Sequence, residues 1–230
     1  MDILANMYHA KQVEYIIALL GLFGFIVFWR VLTGPKTKLE KVDDMAGTLF
    51  ERFAFLAPSD VVFHPGHAWA RVESADIVTV GMDDFAVKLL GSADSISLPK
   101  LGSQVRQGSL GWGFKIDSRV IHMLSPIQGE IVAINDAVAN APGVAFEDPY
   151  GNGWMFKVKS TNLTSNMKNM IPDCIVGQWL ENIGQSLTDL AAPQAEVQIS
   201  ADCGQPIRGI ARAVDPEGWD HIARKFFLTK

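Results

Sequence analysis

The middle of the chain, residues 61–162, consists of short apolar runs separated by turn residues. Runs of this length, rich in β-branched and aromatic residues, predict strands rather than helices. One helix is predicted inside this segment, at Asp83–Leu90. These elements predict a mainly β domain built as a sandwich of short strands. The predicted strands are Ala68–Val72, Ile77–Met82, Ile96–Pro99, Val105, Leu110–Ile116, Val120–Leu124, Gly129–Asn135 and Trp154–Val158.

Helical spacing of apolar residues returns after the β domain. Within residues 163–192, helices are predicted at Ser165–Met170 and Asp173–Leu190, and a proline follows the second one. Residues 193–230 form a C-terminal extension in which Trp219–Leu228 is predicted to be a short amphipathic helix. The side chains expected to pack the second helix on the sandwich are Ile175, Trp179, Ile183 and Leu187.

The N-terminal part holds an uncharged apolar stretch, Tyr15–Trp29. Continued to Thr33, a helix of this length approaches the roughly 30 Å of a bilayer's hydrocarbon core. We therefore predict a transmembrane helix over residues 15–33, preceded by a short tail (1–14) and followed by a linker with an amphipathic helix (34–60). A cleaved signal peptide is disfavoured, because the tail is not basic overall and no small-residue cleavage motif follows.

Positive charge is concentrated on the C-terminal side of this stretch. Arg30, Lys36, Lys38 and Lys41 follow it, whereas Lys11 alone precedes it. The positive-inside rule then predicts a single-pass protein of a bacterial-type inner membrane, with its C-terminal domain in the cytoplasm.

Composition narrows the classes of partner. The net charge of −5 and the pI of about 5.5 argue against a nucleic-acid partner, and no basic stripe interleaved with aromatic residues is present. The two cysteines, Cys174 and Cys203, have no closely spaced partner, so neither a disulfide framework nor a zinc motif is indicated. We expect both to be buried thiols.

Five groups of residues in the β domain form motifs with a defined order and spacing. They are His67-Ala68-Trp69 with Val72, Val80–Ala86 with Leu90-Gly91, Leu98-Pro99 with Gly102 and Gly108, Ser125-Pro126 with Gly129-Glu130, and Glu147–Gly151 with Gly153-Trp154. In type, order and spacing these motifs resemble those of the glycine cleavage system H protein, a small carrier that holds a lipoyl group on one lysine. The resemblance covers Val61 to about Thr161 and implies a lipoyl-type barrel-sandwich hybrid with flanking helices.

The position of the carrier lysine differs from the family. The resemblance implies a lysine seven residues before the serine of the Ser-Pro turn, and counting back from Ser125 leads to Ser118. A hydroxyl cannot form the amide that attaches lipoate, and Lys115 stands where the family has a glutamate. The sequence therefore indicates a carrier fold without a cofactor, with a relocated lipoyl site at Lys115 as the alternative.

Catalytic motifs are sparse. His64 and His67 are separated by proline and glycine, and no cysteine or carboxylate is spaced to complete a metal site with them. Asp117, Ser118 and His122 share one predicted hairpin, but no nucleophile elbow surrounds the serine. The chain is therefore interpreted as non-enzymatic.

Three functions remain open at this point. The first is a non-catalytic accessory or scaffold subunit of an inner-membrane complex, for example a respiratory or electron-transfer complex, with the other subunits as its partners. The second is a lipoyl carrier using Lys115 and serving a membrane-bound dehydrogenase. The third is an efflux adaptor of the membrane-fusion kind, although the heptads of its long α-hairpin are missing here.

Three surfaces are predicted to bind partners. The apolar stretch offers a strip of small residues for helix packing. The hairpin apex offers a charged tip, and the C-terminal helix offers aromatic anchors. The residues are Ala18, Gly21 and Gly24 in the strip, Lys115, Asp117, Arg119 and His122 at the apex, and Trp219 and Phe226 in the helix.

Overall fold

The computed structural model of the chain describes residues 22–26, 28–29, 55–191 and 208–229. The chain divides into two compact units, Met1–Gly47 and Thr48–Lys230. In the first unit, residues 22–26 and 28–29 are helical and their side chains are exposed. Phe25 stacks on Trp29 there, with ring centroids 6.0 Å apart.

The transmembrane helix is the part of the predicted fold class that needs correction. Among the described residues, no helix combines the length and the apolar character needed to cross a membrane. The helix predicted over 15–33 is therefore not supported, whereas the mainly β sandwich is confirmed. The predicted tail (1–14) and most of the predicted linker (34–60) lie outside the described residues.

Two antiparallel sheets form the sandwich. The strands are β1 (Val62–Phe63), β2 (Ala68–Val72), β3 (Ile77–Met82), β4 (Ser95–Ser97), β5 (Gln104–Val105), β6 (Leu110–Ile116), β7 (Arg119–Leu124), β8 (Gly129–Ile134) and β9 (Phe156–Lys159). The larger sheet has the order β1-β2-β3-β9-β8-β5, and the smaller sheet has the order β4-β6-β7.

Side chains from both sheets fill a common core. In β6, Trp112, Phe114 and Ile116 are buried while Lys115 is exposed, as expected where successive side chains point to opposite faces of a sheet. Trp112 meets Phe156 of the other sheet edge to face, with centroids 5.7 Å apart. One face of each sheet is therefore packed inward, and on the other face of β6 Lys115 is exposed whereas Gly111 and Gly113 are buried.

The helices of this unit are short and lie around the sandwich. They are α1 (Asp84–Leu90), α2 (Asp136–Asn140), α3 (Gly143–Glu147), α4 (Leu163–Met167), α5 (Val176–Ala191), α6 (Ile210–Val214) and α7 (Trp219–Phe227). Asp83 caps α1, because its carboxylate accepts a hydrogen bond of 2.8 Å from the Ala86 N–H. The sequence pattern did not predict α2 and α3, since five residues are too few to show a helical period.

Helix α5 follows a 3-10 turn at Asp173–Ile175 and packs largely as predicted. Ile183 and Leu187 are buried, but Ile175 is 43% exposed because it lies in the 3-10 turn rather than on the helix face. Cys174 in the same turn is also exposed, so the prediction of a buried thiol there was wrong. Cys203 lies outside the described residues.

The C-terminal extension is part of the core of this unit. Ile210, Phe226 and Phe227 are buried with the sandwich residues. The Gly209 N–H donates to the Lys88 carbonyl over 2.8 Å, which ties α6 to the end of α1. A Cβ on Gly91 would lie 2.6 Å from the Gly209 nitrogen, so this close approach of two backbone segments requires glycine.

Candidate functional site

The hairpin of β6 and β7 is the candidate site. A two-residue turn, Asp117-Ser118, joins the strands, and Ile116 pairs with Arg119 beside it. On the outer face, Lys115 pairs with Val120 on one side and with Ser95 of β4 on the other. All three of these side chains are exposed. The buried inner face thus fixes the hairpin to the sandwich while its outer face and turn stay accessible.

The turn is held from two directions. Asp117 has a left-handed φ of 53°, a conformation that aspartate tolerates better than most residues. Its N–H donates to the Asp94 carboxylate over 2.7 Å, and the Asp94 N–H donates to the Lys115 carbonyl over 2.8 Å. Its own carboxylate accepts from Arg212 of α6 over 2.5 Å. These contacts give the turn a defined geometry.

The two candidate attachment positions differ in chemistry and in place. Ser118 is exposed at the turn, and Lys115 is exposed on β6, three positions earlier in the chain. Only the lysine supplies a primary amine. Since the preceding and following residues, Phe114 and Ile116, are buried, the Lys115 side chain belongs to the solvent-facing set of its strand.

Arg119 and His122 occupy the other strand of the hairpin. The Arg119 guanidinium forms an ion pair with Asp220 of α7 and lies 5.7 Å from the centroid of the Trp219 ring. His122 is half-buried beside Gly113, where a Cβ would approach its ring to 3.2 Å. The four predicted apex residues therefore share one hairpin. Trp219, another predicted interaction residue, lies against that hairpin.

The remaining predicted interaction residues lie elsewhere. Phe226 is buried against Phe85, with centroids 5.0 Å apart, and Trp219 is 5% exposed, so the chain itself covers most of both rings. Gly24 belongs to the first unit and has open space around its Cα, since a Cβ built there meets no atom within 4 Å. Ala18 and Gly21 lie outside the described residues.

Three residues outside the hairpin hold it through hydrogen bonds and ion pairs, and the sequence analysis did not identify them. Asp94, Arg212 and Asp220 contact the hairpin from 23, 95 and 101 residues away along the chain. A single sequence carries no local signal for ion pairs at such separations.

The two histidines considered as a metal pair have structural contacts. His67 Nδ1 lies 2.8 Å from the Asp83 carboxylate, and its ring stacks between Phe85 and Trp179. His64 Nδ1 accepts a 3.0 Å hydrogen bond from the Gly66 N–H. Burial, with a smaller contribution from the nearby His67, lowers the pKa of His64 below its ordinary value. Within the described ranges, no three His, Cys, Asp or Glu side chains are grouped to hold a metal ion.

Comparison with known proteins identifies the β domain. The family model of the glycine cleavage H-protein matches residues 61–175. A glycine cleavage system H protein of Marinobacter nauticus is 38% identical over 102 residues, which are 44% of this chain and 78% of that protein. The H protein of Stenotrophomonas maltophilia is 37% identical over 125 residues, or 54% of this chain and 95% of that protein.

Among solved structures, an H protein from Mycobacterium marinum matches with a TM-score of 0.43 and 30% identity. The match covers 46% of this chain and 87% of that chain.

These matches also correct the predicted function. They relate the β domain to H proteins and give no support to a scaffold subunit of a membrane complex. The motifs from His67 to Trp154 lie within the matched residues. The chain belongs to the glycine cleavage H-protein family.

Proposed function

We propose that the chain is a carrier protein of the H type, which bears a lipoyl group on the β6–β7 hairpin and presents it to partner enzymes. Membership of the family supports this function, as does a hairpin on which Lys115 and the turn are exposed to solvent. A carrier needs a reactive amine on an accessible element and no catalytic group of its own. The non-enzymatic interpretation of the sequence is therefore kept.

Lys115 is the proposed attachment residue, and its exposure on the hairpin is the observation on which the proposal rests. Lipoate is attached through an amide, and the hydroxyl of Ser118 at the turn cannot form one. Strands rise about 3.3 Å per residue, so Lys115 lies on the order of 7 Å before the turn. The flexible lysine stem and the lipoyl chain are long enough to compensate for this displacement.

One acidic side chain close to Lys115 comes from outside the hairpin. The family presents an acidic residue three positions before its carrier lysine, and this chain has Lys115 itself at that point. The N–H of Asp94, just before β4, donates to the Lys115 carbonyl, and the Asp94 carboxylate accepts from the Asp117 N–H in the turn. An acidic context for Lys115 is thus supplied by Asp94 through the fold and by Asp117 from the turn.

The test is in vitro lipoylation followed by intact-mass measurement. The purified chain is incubated with lipoate, ATP and a lipoate–protein ligase, with the Stenotrophomonas maltophilia H protein as the positive control. We expect a mass increase of one lipoyl amide, located on Lys115 by peptide mapping. Lys115→Arg keeps the charge but removes the acylable amine, so it should abolish the increase. Lys100→Arg, at another exposed lysine, should not.

Ser118→Lys is the informative companion variant, because it places an amine at the turn itself. If this variant is lipoylated while the wild type remains unmodified in the same reaction, the ligase recognises the hairpin but does not modify Lys115. That result would overturn the proposal.

A further inference from the structure

The C-terminal helices contact the hairpin through two reciprocal ion pairs. The hairpin anion Asp117 pairs with the helix cation Arg212, and the hairpin cation Arg119 pairs with the helix anion Asp220. Because the two ion pairs have opposite polarity, they favour one orientation of the helices relative to the hairpin. Shifting either helix along the hairpin would bring like charges together. The helices that supply them lie beyond residue 175, where the family match ends.

Trp219 fills the space between these pairs. Its ring is buried and lies 4.9 Å from the Arg212 guanidinium and 5.7 Å from that of Arg119. An arginine within about 6 Å of a tryptophan ring is attracted to its face. One aromatic side chain thus contacts one cation from the hairpin and one from the helices.

This contact is anchored on the rigid part of the unit. Phe227 at the far end of α7 is fully buried, and Gly209 joins α6 to α1. The two helices are therefore tied to the core independently of the hairpin, and we expect them to resist its displacement.

The contact also covers one side of the hairpin. β7 is the edge strand of the smaller sheet, and an unprotected edge presents free backbone groups to other chains. Helix α7 runs beside it, and Arg224 donates to the Val120 carbonyl over 3.5 Å. On the opposite side, Ser95 of β4 and the preceding Asp94 are exposed.

We propose that Arg212, Trp219 and Asp220 are positioning residues of the carrier hairpin. They hold the Asp117-Ser118 turn in one orientation and close the β7 side, so that a partner enzyme approaches Lys115 over the β4 side. The statement about approach rests on the proposed function, whereas the restraint on the turn does not. A hairpin restrained in this way presents its surface to a partner in one orientation, which reduces the conformational entropy that the hairpin loses on docking.

Amide hydrogen exchange of the unmodified protein tests the restraint. The double variant Arg212→Gln/Asp220→Asn removes both charges on the helix side and leaves Trp219 and the buried phenylalanines in place. We expect hairpin amides between 115 and 120 to exchange about threefold to tenfold faster, the range that two partly exposed ion pairs can supply. The matched control is Lys159→Gln, which breaks the exposed Lys159–Asp76 pair on the larger sheet.

Two results would overturn the restraint: hairpin exchange no faster than in the control, or faster exchange that is equal throughout the sandwich. Arg212→Lys, which keeps the charge, should exchange more slowly than Arg212→Gln. Equal rates for these two variants would show that pairing with Asp117 does not hold the turn.

The approach of the partner is tested separately, by the rate of ligase-dependent lipoylation. Ser95→Arg, on the open β4 side, should slow modification of Lys115 at least about fivefold, because a bulky charge there obstructs the proposed route. An unchanged rate would refute that route. Absence of any lipoylation would instead refute the proposed function. The conclusion about restraint of the turn would not be affected, because hydrogen exchange tests it independently.

Discussion

Replacing Phe227 with alanine is the most direct test of whether the C-terminal extension belongs to the core of the protein. The Phe227 side chain is fully buried, and its ring centroid lies 6.2 Å from that of His67. His67 in turn stacks on Phe85, so the phenylalanine contributes to an aromatic cluster that joins α7 to the sandwich. Truncation would leave a cavity in this cluster that rigid neighbours on several elements cannot fill.

The expected loss follows from that burial. Phe→Ala substitutions at fully buried sites typically lower the free energy of unfolding by about 3–5 kcal/mol, through lost apolar transfer and the residual cavity. For a folded unit of this size, each kcal/mol shifts the midpoint of thermal unfolding by about 2–4 °C. The Phe227→Ala variant should therefore melt roughly 6–20 °C below the wild type.

Urea denaturation followed by tryptophan fluorescence measures the effect, and Leu228→Ala is the matched control. Leu228 is the next residue along the chain, is 56% exposed and has a left-handed φ that alanine shares without further strain. Its truncation should change the free energy of unfolding by less than about 0.5 kcal/mol. If Phe227→Ala lost less than about 1 kcal/mol, the extension would not be an integral part of the core and the reasoning above would fail.

Three further predictions concern the sandwich itself. Gly129→Ala should lower the free energy of unfolding by about 3 kcal/mol or more, since φ is 151° and a Cβ would lie 2.2 Å from the Lys159 carbonyl oxygen. Gly108→Ala, with φ 75° and open space, should lose only about 1–2 kcal/mol in the same urea titration. Because burial lowers the pKa of His64, the unfolded chain binds its proton more readily, so stability should fall as pH drops below 6.5. Urea midpoints between about pH 5 and pH 7 should show a smaller fall for His64→Asn, and an equal fall would exclude this histidine as the source. Tyr150→Phe removes a hydroxyl that donates to one backbone carbonyl and accepts from one N–H, so calorimetry should register a loss of about 1–3 kcal/mol.

The sequence alone determined most of the sandwich. Strands such as Ile77–Met82 and Leu110–Ile116 have the predicted bounds, because short apolar runs bounded by turn residues are local properties of the chain. The family motifs led to the same fold, and comparison with relatives confirmed the family. The sequence also predicted that Lys115 and Ser118 lie on the hairpin, since the register of a two-residue turn follows from the adjacent strands.

Other features required the tertiary structure. An apolar stretch such as 15–33 satisfies the rules for a membrane helix, but apolar length is a local criterion, and no such helix is found within the described residues. The exposure of Cys174 depends on a 3-10 turn that displaces it from the face of the following helix.

The C-terminal extension shows the difference most clearly. Its amphipathic helix was predicted from the local spacing of apolar residues, and its apolar face was interpreted as a surface that binds a partner. The structure places that face in the chain's own core and brings Arg212 and Asp220 to the hairpin across 95 and 101 residues. Local periodicity determines which face of a helix is apolar and will be buried. The surface against which that face is buried depends on which distant segments meet when the chain folds.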